Sequence, residues 1–153
     1  MRLRRIKTLI VDDSLLFRET LARGISRDPA IEVVATAVDA FMARDMIIKY
    51  KPDVMTLDVE MPRMSGIEFL RRLMPQYPLP VVMISALSES VFDALNAGAI
   101  DFVAKPDMNR NRDLDSFFSE LILKIKIASV ARLGRRAEVS KLLPTGKSQA
   151  DQG

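Results

Sequence analysis

The chain has 153 residues, 48% of them hydrophobic and 28% charged, with 23 Lys plus Arg against 20 Asp plus Glu and no Cys, His or Trp. That length and apolar content suit one folded domain with a short extension and exclude global disorder; the missing Cys and His exclude disulfides, thiolate zinc sites, a Ser-His-Asp triad and His acid-base chemistry. The net charge of +3 belongs to the ends, because residues 8–123 hold 12 basic and 18 acidic side chains, a net of −6, the wrong sign for a nucleic-acid surface.

Leu9 to Val11 reads as a first buried strand, stopped by Asp12 and Asp13. It is far shorter than the roughly 18 apolar residues of a membrane span, and no other run approaches that length, so neither a signal peptide nor a membrane partner is expected and the cytoplasm is the expected location. Residues 14–26 follow as a helix capped by Ser14, with Phe17, Leu21, Gly24 and Ile25 on one face. Ile31 to Ala37 is a second strand, and residues 39–50 a second helix capped by Asp39 and facing inward through Ala43, Met46, Ile47 and Tyr50.

Val54 to Leu57 is a third strand, and a third helix over 65–75 presents Ile67, Leu70 and Met74 before Pro75. Val81 to Ile84 is a fourth strand; the helix over 88–98 starts at Ser88 with Glu89 in its first turn and stops at Gly98. Phe102 to Ala104 is the fifth strand. The last helix begins near Asp113, carries the stripe Leu114, Phe117, Phe118, Leu121, Ile122, Ile125 and Ala128, and runs to about Leu133 before Gly134. Residues 1–133 are therefore expected to form the domain, and 134–153, which lose periodicity, a linker or tail.

Continuously apolar strands imply a sheet covered on both faces, and five strand-helix alternations imply an open, doubly wound parallel sheet in the order 2-1-3-4-5. Ligands of such sheets bind at the carboxyl ends of the strands. This topology brings Asp12, Asp13, Asp58, Ser85 and Lys105 to one edge. Three neighbouring carboxylates repel one another unless a hard divalent cation joins them, and an all-oxygen set suits Mg2+. Lys105 and the Ser85 hydroxyl complete a pocket for a phosphoryl group, with Asp58 as the nucleophile that forms an aspartyl phosphate. Singly, Asp13 reads as well as a helix cap, Ser85 as a strand end and Lys105 as a surface charge; the convergence on one edge favours the site.

The runs Ile10-Val11-Asp12-Asp13-Ser14, Leu57-Asp58-Val59-Glu60-Met61-Pro62-Arg63-Met64-Ser65-Gly66, Ile84-Ser85-Ala86 and Ala97 to Pro106 together resemble two-component response-regulator receiver domains over about residues 6–130. Within that superfamily they look most like the regulatory domains of chemotaxis protein-glutamate methylesterases. The resemblance implies a flavodoxin-like fold, phosphate acceptance by Asp58 from a histidine kinase, and Mg2+ held by Asp13, Asp58 and the Glu60 carbonyl with help from Asp12. It further implies a hydrogen bond from Ser85 to the phosphoryl oxygens, an ion pair from Lys105, and a cis Lys105-Pro106 peptide. Phe102 resembles an aromatic switch residue and reads equally as a core phenylalanine. Ser65 departs from the Asp or Asn common in relatives, and Gly66 is read as supplying backbone freedom to that turn.

The family also implies regulation of a methylesterase, attached or separate, through the surface of the fourth helix, fifth strand and fifth helix. Without a His this chain is not expected to hydrolyse esters itself; it reads as the regulatory part of a longer enzyme or as a free-standing receiver. A Mg2+ phosphatase acting through Asp58 is a rival reading, though the short loops leave little room for a substrate cap. A nucleic-acid or membrane module using residues 124–147 is a third. Thr145-Gly146-Lys147-Ser148 has the ending of a phosphate-binding loop but lacks its first Gly and a preceding strand.

Overall fold

A computed structural model describes residues 4–86, 90–107 and 110–142. The elements run β1 (Ile6–Val11), α1 (Leu15–Ile25), β2 (Ile31–Ala37), α2 (Ala40–Tyr50), β3 (Val54–Asp58), α3 (Gly66–Leu73), β4 (Val81–Ser85), α4 (Val91–Asn96), β5 (Asp101–Ala104) and α5 (Asn111–Leu142). The strands pair in parallel in the order β2-β1-β3-β4-β5, the doubly wound arrangement expected from the apolar runs.

Two hydrophobic cores explain why the strands show no clean alternation. Leu9, Val11, Met55, Leu57, Val81 and Met83 face Ala43 and Ile47 of α2, Phe69 and Leu70 of α3 and Ala94 of α4. Their strand neighbours Ile10, Val54, Val82 and Ile84 face Phe17, Leu21 and Ile25 of α1 and Phe117, Leu121 and Ile125 of α5 on the other side. Each such buried side chain contributes about 1.5–3 kcal/mol, so covering both faces holds the strand ends in fixed register.

Local signals set the helix starts. Ser14 Oγ accepts the Phe17 amide, Asp39 accepts the Met42 amide at 2.9 Å and Ser65 Oγ accepts the Glu68 amide at 3.2 Å. Ser65 is thus an N-cap, a role open to serine as to aspartate. Gly66 acts differently from the expectation: its φ is not positive, and the need is for space, since a Cβ there would lie 2.1 Å from the Asp58 carbonyl oxygen. Gly98, at φ +119, does follow the end of α4 in a conformation that disfavours a side chain. Ser88 and Glu89 lie outside the described residues, and α4 begins at Val91.

α5 starts two residues before Asp113 and continues through Gly134 to Leu142. A single glycine costs a helix only about 1 kcal/mol, and the following Arg135, Arg136, Ala137 and Glu138 favour helix, so Gly134 is not a stop. The rest of the expected tail, including Thr145 to Ser148, lies outside the described residues. Among those described, no helix is long and apolar enough to cross a membrane.

Candidate functional site

β1 and β3 carry buried carboxylates to the carboxyl edge of the sheet, Asp12 immediately after β1 and Asp58 as the last residue of β3, each 1% exposed. Asp12 is oriented by its surroundings: Oδ1 accepts the Ser14 amide at 2.8 Å, while its main-chain carbonyl accepts Arg18 Nη1 at 2.7 Å. That leaves Oδ2 toward Asp58. Asp13, exposed on the loop, completes a cluster in which one oxygen from each of Asp12, Asp13 and Asp58 lies within 4.8 Å of the others.

Lys105 follows β5, and its amide donates to the Ser85 carbonyl at 2.9 Å, extending the β4-β5 pairing by one step. This delivers its ammonium 3.4 Å from both Asp12 Oδ2 and Asp58 Oδ1, with the Phe17 ring centroid 4.7 Å away. A cation over an aromatic face and between two carboxylates is held from three sides. The two carboxylates raise the Lys105 pKa above the ordinary value although burial alone would lower it. Burial, then repulsion from Asp12, pushes Asp58 up to about 7 despite the attraction of Lys105. Burial likewise raises Asp12.

Among the described residues, neither oxygen of Asp58 nor Oδ2 of Asp12 has a hydrogen-bond partner. Buried carboxylate oxygens without partners are costly, and a site that keeps them is poised for a ligand. An all-oxygen donor set of this kind fits a hard divalent cation such as Mg2+.

Ser85 ends β4 and is fully buried; its hydroxyl donates to Glu60 Oε2 at 2.5 Å. The Glu60 side chain therefore holds the hydroxyl that the sequence assigns to a phosphoryl group, a contact that depends on side-chain direction and leaves no signal in the sequence. Phe102 is half-buried in β5 against the α2-α3-α4 core, and its carbonyl accepts Lys124 Nζ at 2.8 Å. Pro106 lies just beyond β5, and the Lys105-Pro106 bond is trans. The expected cis bond is thereby corrected: trans is the lower-energy isomer, and from it the ammonium already reaches both carboxylates.

The β3-α3 loop is tied down on its far side. Arg63, at φ 70, reaches Asp39 at 2.6 Å and stacks over Phe41 at 5.5 Å. Pro62 and Met61 lie between this tether and Glu60, so the loop beside Asp58 is pinned at both ends, by Arg63 and by the Gly66 amide donating to the Val59 carbonyl at 2.9 Å.

Comparison with known proteins agrees with this geometry. Residues 8–114 match the family model for the response regulator receiver domain. A protein-glutamate methylesterase/protein-glutamine glutaminase from Syntrophotalea carbinolica is 51% identical over 145 residues, covering 92% of this chain and 41% of that protein. Its counterpart from Nitrosomonas europaea is 47% identical, covering 90% and 40%. The chain thus spans about two-fifths of the length of these curated relatives. Among solved structures, the response regulator domain of Thermotoga maritima CheB superposes with a TM-score of 0.74 at 37% identity, covering 82% of this chain and 97% of that one. A CheX-CheY-BeF3-Mg complex from Borrelia burgdorferi gives a TM-score of 0.63 at 32% identity, covering 80% and 87%.

Proposed function

The chain belongs to the response regulator receiver domain family, and we propose that it is the phospho-accepting regulatory domain of a chemotaxis methylesterase system, with Asp58 as the acceptor. The observation that carries this reading is the Asp58 carboxylate: buried, without a hydrogen bond on either oxygen among the described residues, and 3.4 Å from the Lys105 ammonium. One oxygen attacks the phosphorus of a phosphohistidine on the kinase; the new O–P bond forms as the N–P bond breaks, and the imidazole leaves to take a proton from solvent.

Lys105 neutralises charge on the transferred group and holds Asp58 in line. Ser85 contributes once its hydroxyl turns from Glu60 to a phosphoryl oxygen, and that exchange, with the half-buried Phe102 and the adjoining Lys105-Pro106 turn, makes the switch. Asp13, Asp58 and the Glu60 carbonyl, assisted by Asp12, would hold Mg2+. When bound, the ion supplies positive charge to the phosphoryl oxygens and offsets the repulsion among the carboxylates. The solved complex from Borrelia burgdorferi, with BeF3 and Mg, supports this assignment.

The receiver domain spans residues 1–133, with the remainder, helical as far as Leu142, as the linker to the regulated enzyme. Phe92, Leu95, Ile100, Leu123 and Ile127 are exposed apolar residues around α4, β5 and α5, with Phe92 76% exposed. They form the output face toward an attached or partner methylesterase, and a free-standing receiver would use the same face. Intact mass after incubation with acetyl phosphate and Mg2+ tests the central claim. The native chain should gain one phosphoryl group and Asp58→Asn none; a native chain that gains nothing sinks the reading.

A further inference from the structure

We infer that the groove between α2 and α3 is a second docking surface, built for an acidic amphipathic helix of a partner protein. The groove encloses about 460 Å³, and its floor is formed by Ile47, Phe69, Leu73 and Tyr77. On its α2 side stand Phe41, 54% exposed, and Ile48, 61% exposed, with Arg44 between them. Positions 41, 44 and 48 follow i, i+3, i+7 spacing, so one helical stripe presents apolar, cationic and apolar side chains in succession.

The two crest residues project beyond a cavity already large enough for a small ligand. Covering them as well requires an extended partner surface, as when a helix lays its apolar face into a groove. Charge selects the partner. The ionic side chains lining the groove, Arg44 and Arg72, are both cationic, and among the described lining residues none is acidic. Arg72 is shared with Glu68 at 2.8 Å, while Arg44 has no ion pair among the described residues. This positive rim is set in a body whose residues 8–123 carry a net −6, so it favours glutamate or aspartate flanking apolar anchors.

A second copy of the chain fits poorly, because a two-fold contact through this face brings the same arginines together. The groove covers the β1 and β3 side of the sheet, away from the β5 edge where the output face lies. Its occupation is therefore compatible with a contact there.

The test is NMR titration of the isotope-labelled full chain with two synthetic amphipathic peptides of roughly four helical turns, identical in leucine pattern, one carrying glutamates and the other lysines. The acidic peptide should bind, shift resonances of α2 and α3, and weaken roughly tenfold from low to high salt. The lysine peptide should bind at least roughly tenfold more weakly. Arg44→Glu combined with Arg72→Glu should reverse that preference, and Arg44→Glu alone should weaken the acidic peptide to an intermediate degree, with phosphoryl uptake at Asp58 unchanged in both. No binding of the acidic peptide, shifts confined to α4, β5 and α5, or indifference to charge reversal overturns the proposal. Concentration-dependent shifts at Phe41 and Ile48 without peptide would overturn it in favour of a second copy. The titration uses unphosphorylated protein, so its outcome is independent of the phosphoryl site.

Discussion

The two ends of β3 carry the same side chain in opposite circumstances. Asp53, just before the strand, is 8% exposed; its oxygens take Arg4 Nη2 at 2.6 Å and the Lys7 amide at 2.9 Å. Asp58, the strand's last residue, has among the described residues a single ammonium at 3.4 Å, a second buried carboxylate beside it, and no hydrogen bond. The first aspartate stitches the amino edge of the sheet together. The second is held in deficit by the same scaffold, and the difference shows where the fold spends stability on chemistry.

The largest effect expected from breaking this contrast is complete loss of phosphoryl uptake in Asp58→Asn, while Asp53→Asn retains it, both read by intact mass. Next, Lys105→Ala leaves two buried carboxylates without their cation and should slow uptake from acetyl phosphate by about a hundredfold, the usual cost of one charge-stabilising group. Asp53→Ala removes two hydrogen bonds and leaves the Lys7 amide without its partner, and should cost about 2 kcal/mol in urea unfolding with little change in uptake rate.

A subtler effect is on pH dependence. Because Asp58 in the folded chain is pushed up to about 7 from an ordinary 3.8, the folded state keeps a proton that the unfolded state has released between those values. Stability therefore falls as pH rises from about 4 to 7, by about 3 kcal/mol. The raised Asp12 adds a contribution of the same sign. Thermal melts at pH 5 and pH 8 should show Asp58→Asn gaining on the native chain at the higher pH, and Mg2+ should narrow the gap. An equal difference between the two chains at both pH values would contradict the raised Asp58. Smallest of all, Glu60→Ala removes the hydrogen bond between Ser85 and Glu60 together with one negative charge, which should speed uptake roughly fivefold, the equivalent of about 1 kcal/mol of repulsion.

Most of this scaffold is legible in the sequence because burial on both faces writes itself as uninterrupted apolar runs, and strand ends then align Asp12, Asp58, Ser85 and Lys105 without further information. Side-chain direction is not legible in this way. The Ser85-Glu60 bond depends on a rotamer, the Arg63-Asp39 tether spans 24 positions, and Gly66 reads from sequence as turn freedom because sequence does not show how closely α3 approaches the Asp58 carbonyl. Gly134 misled for the opposite reason: a strong local signal was outweighed by the helix-favouring residues after it.

That uninterrupted helix has a mechanical consequence. Among the residues whose side chains are described, the last fully packed in the core is Ala128, and the backbone stays helical to Leu142, a further helical length of about 21 Å at 1.5 Å per residue. Such a strut fixes distance and azimuth together. Each residue inserted after Ala128 would turn whatever the helix carries by about 100°, so cargo orientation should vary with insert length on a period of roughly 3.6 residues.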